Sequence, residues 1–172
     1  MNLFFRLIRV LISAILRPGL QADEVSRLVF RVWPLDLDLN MHLTNSRYFA
    51  LMDLGRLDLI LRSGAWRTMR KEHLGVVLGG AAIRFRRSLA PFERFSLTTR
   101  TLGWDERWVY VEQSCTSAKG VACIAVLRAA FVRGGKIVPP ETVLKPRDAQ
   151  VMPPVLPAWV MQWAEVEASF AG

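Results

Sequence analysis

The residues best suited to chemistry lie together in one short stretch, residues 36–48. Two carboxylates, Asp36 and Asp38, are followed by His42, which is one of only two histidines in the chain, and then by Asn45. A carboxylate can take a proton from water or attack an electrophilic carbon itself. The stretch therefore predicts chemistry in which one acidic side chain acts on a polarised group.

The segments on either side place this stretch at the start of a helix. A strand-like run ends at Trp33-Pro34, and a strongly apolar helical pattern begins at about Asn45. The first N–H groups of a helix have no intrahelical partners and carry a partial positive charge. Because such groups stabilise a developing oxyanion, the junction is suited to chemistry on a polarised carbonyl.

The helix that follows is predicted over residues 45–61 and carries a wide apolar arc. Thr44 or Asn45 can serve as its N-cap. Gly55 lies in the apolar arc and would let another part of the chain approach closely. Two pairs of opposite charges have helical spacing: Asp53 with Arg56, and Asp58 with Arg62. So much apolar surface indicates a helix that is buried within the domain.

Most of the remaining chain consists of runs typical of strands: residues 28–33, 76–89, 95–102, 107–116 and 121–132. The third and fourth runs predict a hairpin, and Gly79-Gly80 predicts a bulge or a close backbone approach. Residues 65–74 are expected to be a connector, and residues 158–169 a short C-terminal helix. Consecutive strands joined by short turns predict an antiparallel sheet, which must wrap around the one apolar helix. The expected fold class is α+β.

Residues 2–17 predict a separate amphipathic helix that ends at Pro18-Gly19. Its polar positions form one narrow stripe on an otherwise apolar surface: Asn2, Arg6, Arg9, Ser13 and Arg17. Such a helix would be roughly 24 Å long, too short for a hydrocarbon core of about 30 Å, and its charges also argue against a signal peptide. Two interpretations stay open. The helix lies on an anionic membrane with its arginines at the head groups, or it docks on its own protein or a partner subunit.

The composition excludes several classes of protein. With 172 residues and a hydrophobic fraction of 52%, the chain can build a sizeable core and is not expected to be disordered. Cys115 and Cys123 lie in apolar runs without metal-ligand spacing, which predicts reduced core residues in a cytoplasmic protein and no zinc site. The net charge of +8 favours anionic partners. The basic residues are scattered, however, so no nucleic-acid module is expected.

The chain is expected to have three parts. They are an amphipathic helix over residues 1–19, a central domain over residues 20–138, and a Pro-rich extension with a short helix over residues 139–172.

The polar stretch resembles a known motif. The run Asp36-Leu-Asp38-Leu-Asn-Met-His42-Leu-Thr-Asn45-Ser-Arg-Tyr48 is similar to the D-x-D-x-x-G-H-x-N-N-x-x-Y motif of hotdog-fold thioesterases of the 4-hydroxybenzoyl-CoA thioesterase type. The similarity extends to Asp53 and Arg56 in the helix and to residues 83–93, and it covers about residues 28–133. The apolar N-terminal helix also resembles that of the branch around thioesterase superfamily member 6.

The resemblance implies a hotdog fold, in which an antiparallel sheet wraps around one long central helix. It also implies an active site at a dimer interface where two sheets join edge to edge. Asp38 would be the catalytic carboxylate, acting as nucleophile or as general base for water. Backbone N–H groups near His42 to Asn45 would polarise the thioester carbonyl, and basic surface residues would hold the phosphates of CoA.

The expected catalytic group is Asp38, His42 and Asn45, whereas Asp36 is expected to hold the loop through hydrogen bonds. The residues expected to contact the substrate are Met41, Thr44, Tyr48, Arg84, Arg86 and Arg87. Met41 stands where the family has glycine, and a methionine there could block the approach of the backbone to the thioester or line an acyl pocket. From the residues alone, Asp38 could be a turn or capping carboxylate, Tyr48 a core residue, and the three arginines a solvated strand face. Ser46 has no base placed to activate it.

The sequence thus predicts an acyl-CoA thioesterase, favouring a fatty-acyl substrate and using no metal or redox cofactor, with coenzyme A present only as part of the substrate. A cytoplasmic homodimer or tetramer is expected, with peripheral membrane contact through residues 2–17. The alternative is a non-catalytic acyl- or lipid-binding hotdog protein at the membrane surface, which Met41 favours. A hotdog dehydratase or hydratase would need a His and an acidic residue placed for proton transfer, and no such pair can be assigned.

Overall fold

One long helix lies against a curled antiparallel sheet in the computed structural model, which describes residues 3–21, 24–144 and 155–169. The helices are α1 (Leu3–Leu16), α2 (Asn45–Arg62), α3 (Ala65–Lys71) and α4 (Ala158–Ser169). The strands are β1 (Ser26–Arg31), β2 (Gly75–Phe85), β3 (Arg94–Trp104), β4 (Val109–Ser117), β5 (Gly120–Arg133) and β6 (Lys136–Val138). The predicted α+β class, the long helix and its N-cap position at Thr44 are confirmed.

The sheet has the strand order β1-β3-β4-β5-β2, and every pairing is antiparallel. The three central strands follow one another through tight turns, whereas β1 and β2 form the two edges. The predicted hairpin between residues 95 and 116 is therefore β3–β4. This order places α2, which connects the two edge strands in sequence, across the face of the sheet.

The buried face of α2 supplies the centre of the core. Tyr48, Leu51 and Met52 are each at most 2% exposed and pack with apolar residues of the sheet. A Cβ atom on Gly55 would lie 2.5 Å from Oγ1 of Thr99, so the predicted close approach at this glycine is confirmed. Both predicted charge pairs of the helix also form, Asp53–Arg56 and Asp58–Arg62.

The opposite face of the sheet is covered by α4. Val126 packs with Val160 and Trp163, while its neighbours along β5, Ala125 and Leu127, belong to the core around α2. Because side chains alternate along a strand, α2 and α4 lie on different faces.

The two glycines of β2 let α4 and the β3–β4 hairpin approach its backbone. A Cβ atom on Gly79 would lie 2.1 Å from the ring of Trp108, and one on Gly80 would lie 2.4 Å from the carboxylate of Glu167. The strand register shifts between Leu78 and Gly80. Both parts of the prediction for Gly79-Gly80, a bulge and a close approach, are confirmed.

The N-terminal helix is docked on its own protein through Arg6 and two apolar residues on the same side, Val10 and Ala14. Arg6 and Val10 are 1% exposed, and Ala14 is 9% exposed. The interpretation that placed the arginines at lipid head groups is wrong for Arg6, because a buried carboxylate and a strand carbonyl take up its guanidinium. The apolar side faces outward and exposes seven large residues: Phe4, Phe5, Ile8, Leu11, Ile12, Ile15 and Leu16.

Arginines of α1 also close the free edge of β1. Arg6 donates to the carbonyl of Arg31 at 3.0 Å, and Arg9 donates to the carbonyl of Val29 at 2.8 Å. These carbonyls point away from β3. The backbone of Val32 exchanges hydrogen bonds with Phe92 and Glu93, just before β3, and Phe30 has the same orientation as Val32. Because backbone groups alternate in direction along a strand, those of the residues in between face outward. An unpaired strand edge is a template for unwanted pairing, and the guanidiniums block it here.

Several segments differ from the sequence prediction. Residues 65–71, expected to belong to a connector, form the short helix α3. β2 ends at Phe85 rather than at residue 89, and a sixth strand, β6, pairs with β5 across Gly134-Gly135. Both glycines have positive φ, as two-residue hairpin turns require, and this signal for β6 was missed.

The C-terminal helix is found at the predicted residues, 158–169. Residues 145–154 of the predicted Pro-rich extension lie outside the described residues. Cys115 and Cys123 are buried and free, as expected, and lie opposite each other on β4 and β5. No helix in the described part of the chain is both long and apolar enough to cross a bilayer.

Candidate active site

Residues 36–44, here called the motif loop, form a closed turn between the end of a short 3-10 helix at Pro34–Asp36 and the start of α2. The N–H of Thr44 donates to the carbonyl of Asp36 at 2.9 Å, and Leu37 and Leu43 form an isolated antiparallel bridge. The two ends of the loop are thus tied together, and the polar side chains project from a fixed backbone.

Asp38 lies at the exposed tip of this loop. Its Oδ1 accepts the backbone N–H groups of Asn40 at 2.9 Å and of His42 at 3.1 Å, and its own N–H donates to the carbonyl of His42 at 2.9 Å. Among the described residues, nothing donates to its Oδ2. The carboxylate therefore has one oxygen that shapes the loop and one that is open to solvent and to a substrate.

Asp36, in contrast, is buried, with 1% of its side chain exposed. Its carboxylate accepts two hydrogen bonds from Arg6, one of them at 3.1 Å, and a third from the N–H of Trp33 at 2.9 Å. Arg47 adds a further positive charge 3.6 Å from Oδ1. The two carboxylates of the motif thus have different surroundings. That of Asp36 is buried and bonded to arginine, whereas that of Asp38 is exposed and has one oxygen without a donor.

Met41 occupies a left-handed backbone conformation, with φ of 57°. That conformation costs an L-residue about 1 kcal/mol and costs glycine nothing. The geometry explains why the motif carries glycine at this position. The Met41 side chain is 59% exposed and projects outward from the loop.

The other motif residues are placed around the beginning of α2. His42 is partly buried, and no hydrogen bond of its imidazole is found within the described part of the chain. Thr44 has the extended backbone of an N-cap, but its side chain makes no capping hydrogen bond. Asn45 is the first helical residue and is exposed. The backbones of His42 and Thr44, rather than their side chains, hold the loop.

Most of the backbone N–H groups near the start of α2 already have acceptors, and two do not. Those of His42, Leu43 and Thr44 donate to Asp38 Oδ1, to the carbonyl of Leu89 and to the carbonyl of Asp36. The N–H of Arg47 donates to the carbonyl of Thr44 at 2.9 Å. Among the described residues, those of Asn45 and Ser46 have no acceptor. The two groups at the positive end of α2 are therefore free to bind an oxyanion.

Tyr48 is a core residue, which was one of its two sequence interpretations. Its side chain is 2% exposed, and its ring meets that of Phe85 edge to face at 5.2 Å. Burial raises the pKa of Tyr48 well above its ordinary value of 10, so the phenol stays protonated. It ties the first turn of α2 to the end of β2.

The three arginines expected to bind phosphate have different surroundings. Arg84 and Arg86 are exposed, with no acidic partner in the described residues. Arg87 is engaged internally, since it donates to Glu93 at 2.6 Å and to Ser117. Although burial opposes the shift, hydrogen bonds from Arg87, the Ala90 N–H and Ser117 lower the pKa of Glu93 to about 2. Arg84 and Arg86 thus have unpaired charges among the described residues, whereas Arg87 closes a turn.

Three apolar residues within three positions of Asp38 in the sequence are exposed. Leu35 is 68% exposed, Leu39 is fully exposed, and Met41 is 59% exposed. In the residues described, no three metal-ligating side chains come together as a metal site. The loop thus carries one free carboxylate oxygen and several exposed apolar side chains.

Arg6 is the residue that sequence reasoning missed. The periodicity of residues 2–17 placed it in a polar stripe, but its partner Asp36 is 30 residues away, and no local pattern joins the two. The one available signal was the arginine itself, which interrupts an apolar run and needs an acidic or polar partner if it is buried.

Known proteins resemble this chain in both sequence and structure. A sequence model described as the thioesterase-like superfamily matches residues 32–164. Protein THEM6 of Xenopus laevis is 35% identical over 139 residues, which are 80% of this chain and 66% of that protein. The thioesterase lcsJ of Purpureocillium lilacinum is 32% identical over 108 residues, 52% of this chain and 35% of that protein. The chain spans about half to two thirds of the length of the first curated relatives that it matches.

Solved structures share the same architecture. The crystal structure of DHNA-CoA thioesterase from Staphylococcus aureus matches with a TM-score of 0.60 at 14% identity, over 84% of this chain and 91% of that one. At this identity the likeness is one of fold. The hotdog fold predicted from the motif is confirmed, together with the additional N-terminal helix.

Proposed function

Since the chain belongs to the thioesterase-like superfamily, we propose that it hydrolyses the thioester of an acyl-CoA to a free acid and CoA. The observation that carries this proposal is the open Oδ2 of Asp38, which lies at the tip of a fixed loop beside the start of α2. Thioester hydrolysis needs few catalytic groups, because a thioester is already an activated acyl group. One carboxylate and one oxyanion site suffice.

Asp38 can act in either of two ways. As general base, Oδ2 takes a proton from water while the water oxygen attacks the thioester carbon. As nucleophile, it attacks that carbon itself and forms an anhydride that water then cleaves. In both cases the C–S bond breaks, the thiolate of CoA takes up a proton, and the acid is released. Asn40 and His42 keep the carboxylate oriented through Oδ1.

The oxyanion would be held at the start of α2. The N–H groups of Asn45 and Ser46 have no acceptor among the described residues, and the helix dipole favours negative charge there. Of the region expected from the sequence, His42 to Asn45, only the N–H of Asn45 remains, because the N–H groups of the three residues before it are already used, and Ser46 lies one residue beyond that region. His42 and Asn45 stay in the proposed catalytic group as residues that contact the substrate.

The acyl chain and the CoA would lie in different surroundings. Leu35, Leu39 and Met41 offer exposed apolar surface beside Asp38, which supports a fatty-acyl substrate. Arg84 and Arg86 are exposed, have no acidic partner in the described residues, and supply positive charge for the CoA phosphates. We propose this division with Thr44 lining the helix side, and without a contact from Arg87 or from the buried Tyr48.

The active protein is proposed to be at least a homodimer joined through β2. This edge strand exposes Val76, Val77 and Leu78 by 42–48%, and within the described part of the chain no further strand pairs with its outer backbone groups. An apolar edge of this kind pairs with another strand unless something blocks it. A second copy would extend the sheet and bring the apolar surface near Phe85 out of water.

We propose that the protein is cytoplasmic, as its two free cysteines support, and that it contacts an anionic membrane through the outward side of α1. Seven large apolar residues of this helix are between 36% and 81% exposed. Beside it, Arg31 and Arg94 lie directly opposite each other and line a groove of about 270 Å³ with Trp33. Two facing arginines repel, and no acid pairs with either in the described residues, so lipid phosphates complement this surface.

Vesicle co-sedimentation tests the membrane contact. The protein is expected to bind phosphatidylserine vesicles more strongly than phosphatidylcholine vesicles, and less strongly as salt rises. Ile15→Asp should abolish the binding, whereas Val166→Asp, at an exposed apolar position of α4, should not. Equal binding by both variants would contradict the contact. It would also be contradicted if Ile15→Asp dissociated an oligomer, because the apolar side of α1 would then join copies of the protein.

The alternative function is a non-catalytic acyl- or lipid-binding protein at the membrane surface. It is favoured by Met41, whose side chain stands where the family has glycine, and by the outward apolar side of α1. Such a protein would bind acyl-CoA or lipid vesicles without releasing thiol.

Thiol release from short-, medium- and long-chain acyl-CoAs distinguishes the two functions. Wild-type protein is expected to release CoA fastest from longer chains, and Asp38→Asn is expected to lower kcat by about 1,000-fold or more. Asparagine retains an oxygen for the N–H groups of Asn40 and His42, so the loop is preserved while the anionic oxygen is lost. Glu106→Gln, at an exposed hairpin carboxylate, is the matched control and should be fully active. No release from any chain length would leave the binding function instead.

A further inference from the structure

The most deeply buried charge of the N-terminal helix belongs to Arg6. Its side chain is 1% exposed, and its guanidinium donates to both oxygens of Asp36 and to the carbonyl of Arg31. Arg6 lies outside residues 32–164, the part of the chain that the family's sequence model matches. A buried, bidentate arginine–carboxylate pair fixes the orientation of both partners.

Asp36 transmits this contact to the motif loop. Its carbonyl accepts the N–H of Thr44 at 2.9 Å and so closes the loop, and its carboxylate accepts the N–H of Trp33 at the loop's entrance. Asp38 follows two residues later. The position of the open carboxylate therefore depends on the position of Asp36, and Arg6 holds Asp36 from α1.

Other groups cannot replace Arg6 at this point. Arg47 is the second cation near Asp36, but its Nε lies 3.6 Å from Oδ1, it is 31% exposed, and it donates to the carbonyl of Leu35. Without Arg6, Asp36 would be a buried carboxylate with no bidentate partner. A buried charge that has lost its partner moves toward water or takes up a proton, and either change releases the loop.

We propose that Arg6 is a positioning residue of the active site, which acts through Asp36 to hold the motif loop and hence Asp38 in its reactive place. The inference rests on the proposed function where it concerns turnover, but not where it concerns the loop itself. Through Arg6, α1 contributes to the geometry of the active site. The inner side of α1 holds the motif loop, and its outer side carries the proposed membrane contact.

Arg9 supplies a matched control. It lies on the same helix three residues later and donates to the carbonyl of Val29, two residues from the carbonyl that Arg6 binds. It makes no contact with Asp36. Arg9→Met thus removes an arginine that attaches α1 to β1, while the motif loop keeps its anchor.

The experiment compares Arg6→Met, the double variant Arg6→Met/Asp36→Asn and Arg9→Met in the full chain. Hydrogen exchange of residues 37–44, kcat, KM and the thermal midpoint are measured for each. Arg6→Met is expected to speed exchange in the loop and to lower both kcat and the midpoint. The double variant removes the unpaired charge, so its midpoint should recover while kcat stays about 10- to 100-fold low with KM nearly unchanged. Arg9→Met should leave the loop exchange and kcat as in the wild type.

The outcomes separate positioning from mere stability. If kcat recovers together with the midpoint in the double variant, Arg6 only stabilises the fold and the proposal is wrong. If Arg9→Met loosens the loop as much as Arg6→Met does, the effect belongs to α1 docking in general, which also overturns it. Should the wild type release no thiol at all, the proposed activity fails. The exchange of residues 37–44 still decides whether Arg6 holds the loop.

Discussion

At the scale of single residues, the motif separates two carboxylates that the sequence presents as near equals. Asp36 is sealed by Arg6 and Trp33, whereas Asp38 keeps one oxygen free. The sequence favoured Asp38 through its resemblance to a motif and expected Asp36 to hold the loop. The physical reason for that division could not be read from the sequence, because the guanidinium that seals Asp36 comes from a helix 30 residues away.

Met41 gives a prediction about strain. Its φ of 57° is costly for methionine, so Met41→Gly should raise the free energy of unfolding by about 1 kcal/mol, measured by urea denaturation. Met41→Ala keeps the strained backbone while removing the bulk of the side chain. If the alanine variant is as stable as the glycine variant, the backbone strain is not the cause. Thiol release by the two variants shows whether bulk or backbone limits the approach of a thioester.

Glu93 gives a prediction about pH. Its folded pKa of about 2 lies below its ordinary value of 4.5, so its ionised form stabilises the fold above about pH 4.5, and this contribution is lost as the pH falls toward 2. Glu93→Gln should therefore lower the free energy of unfolding by about 2 kcal/mol at pH 7, and the difference from wild type should vanish near pH 2. Urea denaturation across this range measures it. Glu106→Gln, at an exposed position, should show no such dependence.

At the scale of elements, the sequence predicted the central helix and most of the strands because their periodicity reflects one buried face each. It could not orient α1. A stripe of arginines opposite a wide apolar surface normally predicts that the arginines face water, yet Arg6 is buried here, since Asp36 and the carbonyl of Arg31 accept hydrogen bonds from its guanidinium. Periodicity reports that a helix has two sides, but which side is buried depends on partners far away in the sequence.

Gly55 is the element-scale position with the least tolerance for change. A Cβ atom there would lie 2.5 Å from Oγ1 of Thr99 and 2.9 Å from Nε2 of Gln113, both of which are fully buried and bonded to each other. Gly55→Ala should lower the free energy of unfolding by about 3 kcal/mol, because α2 must move away from the sheet. Gly75→Ala, where the nearest atom is at 3.4 Å, is the control for thermal unfolding and should cost little. Equal midpoints for the two variants would show that the helix has room to shift.

At the scale of the whole molecule, the two edges of the sheet are treated differently. Arginines of α1 donate to the outward carbonyls of β1, whereas the outer edge of β2 has no pairing strand among the described residues and exposes two valines and a leucine. The sequence predicted the strands and implied a dimer by resemblance, but it could not say which edge is free. That distinction arises only once α1 has been placed beside β1.

Val77 and Val29 test the asymmetry directly, because they are exposed to a similar extent, 44% and 46%, on the free and the capped edge. A lysine on an open strand edge opposes pairing with another strand through its charge and its hydration. Val77→Lys is therefore expected to give a monomer by sedimentation velocity, and Val29→Lys to keep the mass of the wild type. If the active site needs a second copy, thiol release should fall with dissociation in Val77→Lys and recover at high protein concentration. A wild-type protein that sediments as a monomer, or a Val29→Lys variant that dissociates in place of Val77→Lys, would assign the interface to another surface.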